Sequence, residues 1–297
     1  MAAAEYWFES VDGLRLFSRV YAGPAAGAPA VLCLHGLLRN GRDFEELAAR
    51  LAARARVIVP DVRGRGLSAR DPDPNHYQLA VYLGDVLTLL GGLGAARVSV
   101  IGTSMGGLLA MLLALRQPGL VAGIVLNDIG PEIDPQGLER IRGYAGKAPP
   151  VRSWPEAVAQ VRATYGAMWP GLSDERWERI ARLSYRANAG GLPEQDADPR
   201  IAEALRQPSA APDLWPLWTA LAQLPVLAIR GAHSDVLSAA TLARMQREKP
   251  DLKVLTVANR GHPPLLDEPE CVAAIDQFLG APLTSPRAPA TVQRVQP

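Results

Sequence analysis

The chain has few cysteines, no long apolar run and no block of charge of one sign. Its only cysteines, Cys33 and Cys271, lie far apart without metal-ligand spacing, which favours buried thiols over a disulfide framework or a metal site. The longest apolar stretch, Leu108 to Leu115, is too short to cross a bilayer. The 31 basic and 30 acidic residues are scattered along the chain, which argues against a nucleic-acid partner.

Two further absences concern targeting and cofactors. The first residues, MAAAEYWFES, lack the charged region and apolar run of a signal peptide, so we expect a cytoplasmic protein that does not contact membranes. No phosphate-binding loop of the Walker type and no histidine-rich spacing occurs. The stretch 64–69, GRGLSA, matches a dinucleotide pattern, but the prolines in RDPDPNHY prevent the helix that this pattern requires. The sequence therefore predicts no cofactor and no metal.

Short apolar runs alternate with longer amphipathic segments along most of the chain. Runs without polar alternation are typical of strands that are covered on both faces, and their alternation with helices predicts a mostly parallel sheet with helices on both sides. The predicted buried strands are 30–34, 57–59, 98–101, 121–126, 226–229 and 252–257. The first two strands, 5–10 and 14–21, flank Asp12-Gly13 and predict an antiparallel hairpin at the sheet edge.

The alternation stops between about residues 130 and 216. This stretch is rich in proline and tryptophan and shows helical patterns with no strand between them, so it predicts a helical cap inserted in the sheet domain. The resulting division is a core domain of residues 1–130 and 216–280, a cap of residues 131–215 and a disordered, proline-rich tail of residues 281–297.

The stretch VSVIGTSMGGL suggests a nucleophile. Residues 102–106, GTSMG, match Gly-x-Ser-x-Gly between a predicted strand and a predicted helix, the context in which a sharp turn exposes the serine hydroxyl. A serine needs a base that is oriented by an acid. His262 and Asp235 both follow predicted strands of the same sheet and are the expected base and acid of Ser104. Asp128 also follows a strand and is the alternative acid.

Hydrolysis through an acyl intermediate also needs donors for the oxyanion. The amide of Met105, next to the serine, is one candidate, and the amide of Leu37, in the turn after the third strand, is the second. His35 is expected to shape that turn rather than to react.

These motifs, in this order, resemble those of the α/β-hydrolase superfamily. The resemblance rests on CLHGLLRN, PDVRGRGLS, IGTSMGG, RGAHSD and NRGHPPLLDEP and extends to about Leu279. It implies an α/β-hydrolase fold with an eight-stranded sheet, whose second strand is antiparallel, and with a helical cap. Because epoxide hydrolases and haloalkane dehalogenases of this fold use an aspartate nucleophile, Ser104 makes those reactions improbable.

The sequence thus predicts a serine hydrolase that cleaves a small or medium carboxylic ester or lactone. Hydrolysis of a C–C or amide bond by the same triad, and a slow-turnover receptor on the same fold, are the alternatives. Trp154, Tyr165, Met168, Trp169 and Tyr185 are candidates for an acyl pocket, and Arg39 is a candidate for binding a substrate carboxylate. The sequence does not determine the oligomeric state, and a homodimer is compatible with it.

Overall fold

Eight strands form one central sheet. The computed structural model describes residues 3–203 and 213–284, and the sheet order is β1-β2-β4-β3-β5-β6-β9-β10. The strands are β1 (Ala4–Glu9), β2 (Arg15–Tyr21), β3 (Ala30–Leu34), β4 (Arg56–Asp61), β5 (Val98–Thr103), β6 (Val121–Asn127), β9 (Val226–Gly231) and β10 (Lys253–Val257). Strand β2 pairs antiparallel with β1 and β4, whereas the other pairs are parallel.

The burial of the strands follows their position in the sheet. Every residue of β3, β6 and β9 is buried, as expected for the inner strands of a parallel sheet with both faces covered. At the edge, β1 and β2 are joined by a turn at Asp12 and Gly13, where Gly13 has a φ of 80°. The predicted hairpin and the predicted sheet architecture are confirmed.

Helices cover both faces of the sheet. They are α1 (Glu45–Leu51), α2 (Leu79–Gly92), α3 (Met105–Arg116), α4 (Pro135–Tyr144), α5 (Trp154–Tyr165), α6 (Asp174–Ser184), α7 (Trp215–Ala220), α8 (Ala239–Glu248) and α9 (Pro269–Thr284). Apolar residues of α2, α3, α7 and α8 form the core on one face, and those of α1 and α9 form the core on the other. Cys33 and Cys271 are buried free thiols in the second core. Within the described ranges, no helix is long and apolar enough to span a membrane.

Residues 135–203, hereafter the insertion, lie between β6 and β9. They comprise α4, α5, α6, a two-stranded hairpin and a short 3-10 turn at Pro199–Ala202, and they have a small core of their own around Trp169 and Trp177. The expectation of helices alone was wrong, because β7 (Tyr185–Ala187) pairs antiparallel with β8 (Pro193–Gln195). Three-residue strands are too short to show a period of two in sequence.

The C-terminal boundary also differs from the expectation. Helix α9 continues to Thr284 and so passes the predicted start of the disordered tail at residue 281. The remainder of that predicted tail, residues 285–297, lies outside the described residues.

Candidate active site

Ser104 occupies a sharp turn between β5 and α3. Its φ of 52° and ψ of −117° are strained for a residue with a side chain. A Cβ on Gly102 would lie 2.4 Å from the carbonyl oxygen of Gly106, and a Cβ on Gly106 would lie 2.0 Å from that of Leu34. Only glycine fits at these two positions, so the pattern Gly-x-Ser-x-Gly is a steric requirement of this turn.

His262, in the loop after β10, connects Ser104 to a carboxylate. Its Nε2 lies 2.9 Å from Ser104 Oγ, and its Nδ1 lies 2.8 Å from Asp128 Oδ2. Because an ionised carboxylate only accepts hydrogen bonds, Nδ1 carries the proton and Nε2 is free to accept the proton of the serine hydroxyl. The structure therefore brings together a serine hydroxyl, an imidazole and a carboxylate at the carboxyl edge of the sheet.

Asp128 is fully buried and is held by three donors. The backbone N–H of Gly231 donates to Oδ1 at 2.9 Å, and the hydroxyl of Ser234 donates to Oδ2 at 2.6 Å, beside the bond from His262. Asp128 has a φ of 60°, which is uncommon for a residue other than glycine. Such backbone conformations cluster at functional sites. The contacts with the loop after β9 fix the direction in which this carboxylate faces His262.

The expectation that Asp235 orients His262 was wrong. Asp235 Oδ2 and Oδ1 accept hydrogen bonds from Arg140 Nε and Nη2 of α4 at 2.5 and 2.8 Å. Burial raises the pKa of Asp235, but the hydrogen bond and charge of Arg140, together with smaller effects of a backbone hydrogen bond and of His262, lower this pKa overall. The carboxylate of Asp235 therefore binds the insertion through Arg140. Asp128, the alternative acid from the sequence analysis, is the carboxylate that contacts His262.

The two predicted oxyanion donors lie beside the nucleophile. Leu37 follows Gly36, where a Cβ would be only 3.8 Å from Ser104 Cβ, and Met105 is the first residue of α3. Neither amide donates a hydrogen bond to another residue within 3–203 and 213–284. Unpaired backbone N–H groups next to a nucleophile are the donors that a tetrahedral oxyanion requires.

His35 shapes the turn that carries Leu37. Its Nδ1 contacts the carbonyl oxygen of Gly36 at 2.8 Å, and its Nε2 accepts a hydrogen bond from the N–H of Val62 at 3.0 Å. Burial and the nearby Arg65 lower the pKa of His35 to about 4. The imidazole is therefore neutral at physiological pH and acts as a bridge between two loops.

Asn127 is a site residue that the sequence reasoning missed. Its Nδ2 donates to Thr103 Oγ1 at 3.1 Å and to the carbonyl oxygen of Pro264 at 2.9 Å. It thereby connects the strand end before Ser104 with the loop that carries His262. Its place directly before Asp128, at the end of a buried strand, was the one signal that could have singled it out.

A cavity of about 120 Å³ lies over Ser104 and His262, between the sheet edge and the insertion. Of the predicted pocket residues, Tyr165 and Trp169 line it, and their rings stack with centroids 4.8 Å apart. Trp169 Nε1 also donates to the carbonyl oxygen of Pro263 at 2.7 Å, which ties the insertion to the histidine loop.

The other predicted pocket residues lie elsewhere. Trp154 does not line this cavity, because its ring packs under the guanidinium of Arg182 at 4.3 Å. Met168 contacts Gly261 through a backbone hydrogen bond, and Tyr185 lines a second cavity between the insertion and the turn after β3. Tryptophan and methionine at these positions serve the packing of the insertion.

Arg39 lines the cavity, but its charge is already paired. Its Nε and Nη2 donate to the Asp43 carboxylate at 2.8 and 2.5 Å, and its Nη1 contacts the hydroxyl of Ser184. A substrate carboxylate would have to compete with Asp43 for this guanidinium. These contacts therefore do not favour the predicted role of Arg39 in binding a substrate carboxylate.

One group of potential metal ligands occurs among the described residues, away from the active site. Asp12, Asp71 and His76 place one ligand atom each within 4.8 Å of one another. Arg63 donates to both carboxylates, at 2.8 and 2.6 Å, so its guanidinium already supplies the positive charge that the acids need. The contacts therefore describe an ion-pair cluster rather than a metal site.

Comparisons with known proteins place the chain in a family. The family model of the alpha/beta hydrolase fold matches residues 29–269, and the chain belongs to this family. A crystal structure of an alpha/beta hydrolase from Novosphingobium aromaticivorans is 45% identical, with a TM-score of 0.89, and the match covers 94% of this chain and 99% of that one. The protein is therefore a hydrolase of the α/β fold.

Two curated relatives have named activities. The chain is 35% identical over 270 residues to a 3-hydroxybutyrate-oligomer hydrolase of Cupriavidus necator, covering 86% of this chain and 90% of that protein. It is 29% identical over 254 residues to a 2-(acetamidomethylene)succinate hydrolase of Mesorhizobium japonicum, covering 85% of this chain and 88% of that protein.

Proposed function

We propose that this hydrolase cleaves a carboxylic ester through an acyl-enzyme on Ser104. The observation that carries the proposal is the unbroken chain of contacts from Ser104 Oγ through the two ring nitrogens of His262 to Asp128, at 2.9 and 2.8 Å. A serine with this partner set is an activated nucleophile for acyl transfer. The relative named for hydrolysis of 3-hydroxybutyrate oligomers supports an ester, and in particular an ester between hydroxy acids.

The reaction proceeds in two halves. In the first half, His262 Nε2 takes the hydroxyl proton as Ser104 Oγ attacks the ester carbonyl, and the amides of Leu37 and Met105 stabilise the resulting oxyanion. The protonated imidazole then gives this proton to the leaving alcohol. In the second half, His262 Nε2 takes a proton from a water molecule whose oxygen attacks the acyl-serine carbonyl. It then returns this proton to Ser104 Oγ as the acid leaves, and Asp128 stabilises the imidazolium in both halves.

The direct test replaces the nucleophile. Ser104→Ala should lower kcat for a short-chain ester, such as 4-nitrophenyl butyrate, by about three or more orders of magnitude. Ser99→Ala is the matched control, because Ser99 is a buried serine on β5, the strand that precedes Ser104, and its hydroxyl makes no hydrogen bond with any described residue. Retention of most of the esterase activity by Ser104→Ala would contradict the proposal, provided that both variants unfold at the temperature of the wild type.

The second candidate is hydrolysis of an amide or C–C bond by the same residues. The relative named for 2-(acetamidomethylene)succinate hydrolysis supports this candidate. Steady-state rates for an ester, its isosteric amide and a matched β-diketone distinguish the reactions. The proposal expects the ester to have the highest kcat/KM, and turnover below one per hour on all three would instead favour a slow-turnover receptor.

A further inference from the structure

A second cavity of about 290 Å³ lies between the insertion and the turn after β3, next to the cavity over Ser104. Four residues line both cavities: Leu38, Arg39, Tyr144 and Tyr165. The two spaces are therefore separated by a single layer of side chains. We call the second space the distal cavity.

The dividing layer consists of side chains from the insertion and from the turn after β3. The rings of Tyr144 and Tyr165 meet edge to face with centroids 5.8 Å apart, and Leu38 is only partly buried. Arg39, whose charge is compensated by Asp43, does not attract an anion to this layer. A substrate chain that passed between the two rings would continue from the cavity over Ser104 into the distal cavity.

The charge along the distal cavity is unbalanced. Its one carboxylate, Asp198, is bound by Arg200 at 2.7 Å and by the hydroxyl of Tyr77 at 2.7 Å. Its exposed cation Lys147 has no ion-pair partner among the described residues. The stretches 204–212 and 285–297 contain no Asp or Glu side chain that could supply one.

From these observations we propose that the distal cavity binds the carboxylate end of an extended ester, with Lys147 as the ion-pair partner. This inference rests on the proposed esterase activity and adds a substrate class, namely an ester whose chain ends in a free carboxylate several bonds from the scissile carbonyl. Since the cation is separated from Ser104 by the dividing layer, short carboxylates do not reach it. The preference for an acidic end therefore depends on chain length.

The test compares acidic and neutral esters of equal length. The probes are mono-4-nitrophenyl esters of butanedioic, hexanedioic and octanedioic acids, with 4-nitrophenyl alkanoates of the same chain length as neutral partners. In Lys147→Met, the ratio of kcat/KM for the acidic ester to that for its neutral partner should fall about threefold to fivefold for the longest pair, as expected for loss of one exposed ion pair. For the butanedioic pair, the ratio should stay unchanged.

Lys253→Met is the matched control, because Lys253 is an exposed lysine on β10 that lines neither cavity. It changes the net charge equally and should leave every ratio unchanged. A parallel set, butyryl esters of ω-hydroxy acids and of alkanols, tests whether the acidic end lies on the alcohol side. A fall in the ratio in either set supports the subsite, whereas equal ratios in wild type and Lys147→Met in both sets overturn it.

A binding measurement separates this inference from the proposed function. In the Ser104→Ala background, suberamic acid should bind about threefold to fivefold more weakly when Lys147→Met is added, as measured by calorimetry. If the wild type hydrolyses no ester, the proposed function fails and the calorimetric result alone decides on the subsite. Hydrolysis of neutral esters together with equal kinetic ratios and unchanged calorimetric affinity overturns the subsite and leaves the esterase proposal in place.

Discussion

His262 Nδ1 contacts Asp128 Oδ2 at 2.8 Å, although Asp235 lies on the loop that follows the neighbouring strand β9. Asp235, the acid expected to contact His262, is instead bound by Arg140 at two points. The end of β9 and the loop after it still contribute to the site, because Gly231 and Ser234 donate hydrogen bonds to Asp128. This arrangement assigns different roles to the two acids, and substitution can test them.

Asp128→Asn should nearly abolish activity while Asp235→Asn should not. An amide opposite His262 Nδ1 presents N–H to the ring and favours the tautomer that cannot take the serine proton, so we expect kcat to fall by roughly 10³-fold to 10⁴-fold. Asp235→Asn weakens the contact with Arg140 and should lower kcat by less than about tenfold. Steady-state kinetics on one short ester, with melting temperatures of both variants, make the comparison. Equal losses in the two variants would show that the assignment of the acid is wrong.

The contact with Arg140 explains why Asp235 was misplaced by the sequence reasoning, whereas Ser104 and His262, which that reasoning paired, do lie in contact. Ser104 and His262 are specified locally, by glycines that fit the turn and by a loop at the end of a strand. The partner of Asp235 is Arg140, about a hundred positions earlier, and the contact forms because α4 packs tightly on the loop after β9. A Cβ on Gly137 would lie only 2.1 Å from the carbonyl oxygen of Asp235. The residues next to Asp235 in the sequence do not indicate that α4 packs against this loop.

A similar distinction separates the sheet from the insertion. The strands of the sheet were predictable because continuous apolar runs such as Val121–Asn127 reflect burial on two faces. The insertion has its own small core, so the sequence does not distinguish apolar residues that only fill this core from those that line the cavity over Ser104. Trp154 and Trp169 both pack in this core, but of the two only Trp169 lines that cavity. Which of them meets a ligand depends on packing between helices, which the order of residues does not encode locally.

Gly106→Ala should impair catalysis strongly. The new methyl group would lie 2.0 Å from the carbonyl oxygen of Leu34, so either the elbow or the end of β3 must move. Because β3 leads directly into the turn of Leu37, the shift displaces an oxyanion donor, and we expect kcat to fall at least about 100-fold. Gly84→Ala, in the middle of α2 with nothing within 4 Å, should keep full activity and stabilise the fold by about 0.5–1 kcal/mol. Comparable activity of the two variants would refute the steric argument.

Arg63→Met should destabilise the fold severely. The guanidinium is 1% exposed and donates to Asp12, Asp71 and Asp85, of which Asp71 and Asp85 are buried. Removing one partner of a buried ionic cluster leaves uncompensated charge, and the expected cost in the free energy of unfolding is about 3–5 kcal/mol. Arg70→Met, which removes a half-exposed contact with Glu194, should cost no more than about 1 kcal/mol. Urea denaturation of both variants measures the difference, and similar losses would contradict the cluster's importance.

His35 should make the protein less stable as the pH falls from about 6.5 to about 4. Burial and Arg65 lower its pKa from 6.5 to about 4 in the folded state, so in this window the unfolded chain binds a proton that the folded chain does not. Protonation then favours unfolding, and the contribution reaches about 3 kcal/mol near pH 4, below which it no longer grows. Urea denaturation at pH 7, 6, 5 and 4 measures this loss of stability.

His35→Gln isolates the contribution of the imidazole from that of the carboxylates, which are the same in wild type and variant. Glutamine can still accept from Val62 or donate to Gly36, and we expect the variant to be less stable at pH 7 but to lose about 3 kcal/mol less than the wild type on acidification to pH 4. His233→Gln is the control, because His233 is exposed, and it should follow the wild-type pH dependence. If all three proteins lost the same free energy between pH 7 and pH 4, the imidazole of His35 would have to be protonated in the folded state, and its hydrogen bond from Val62 could not exist there.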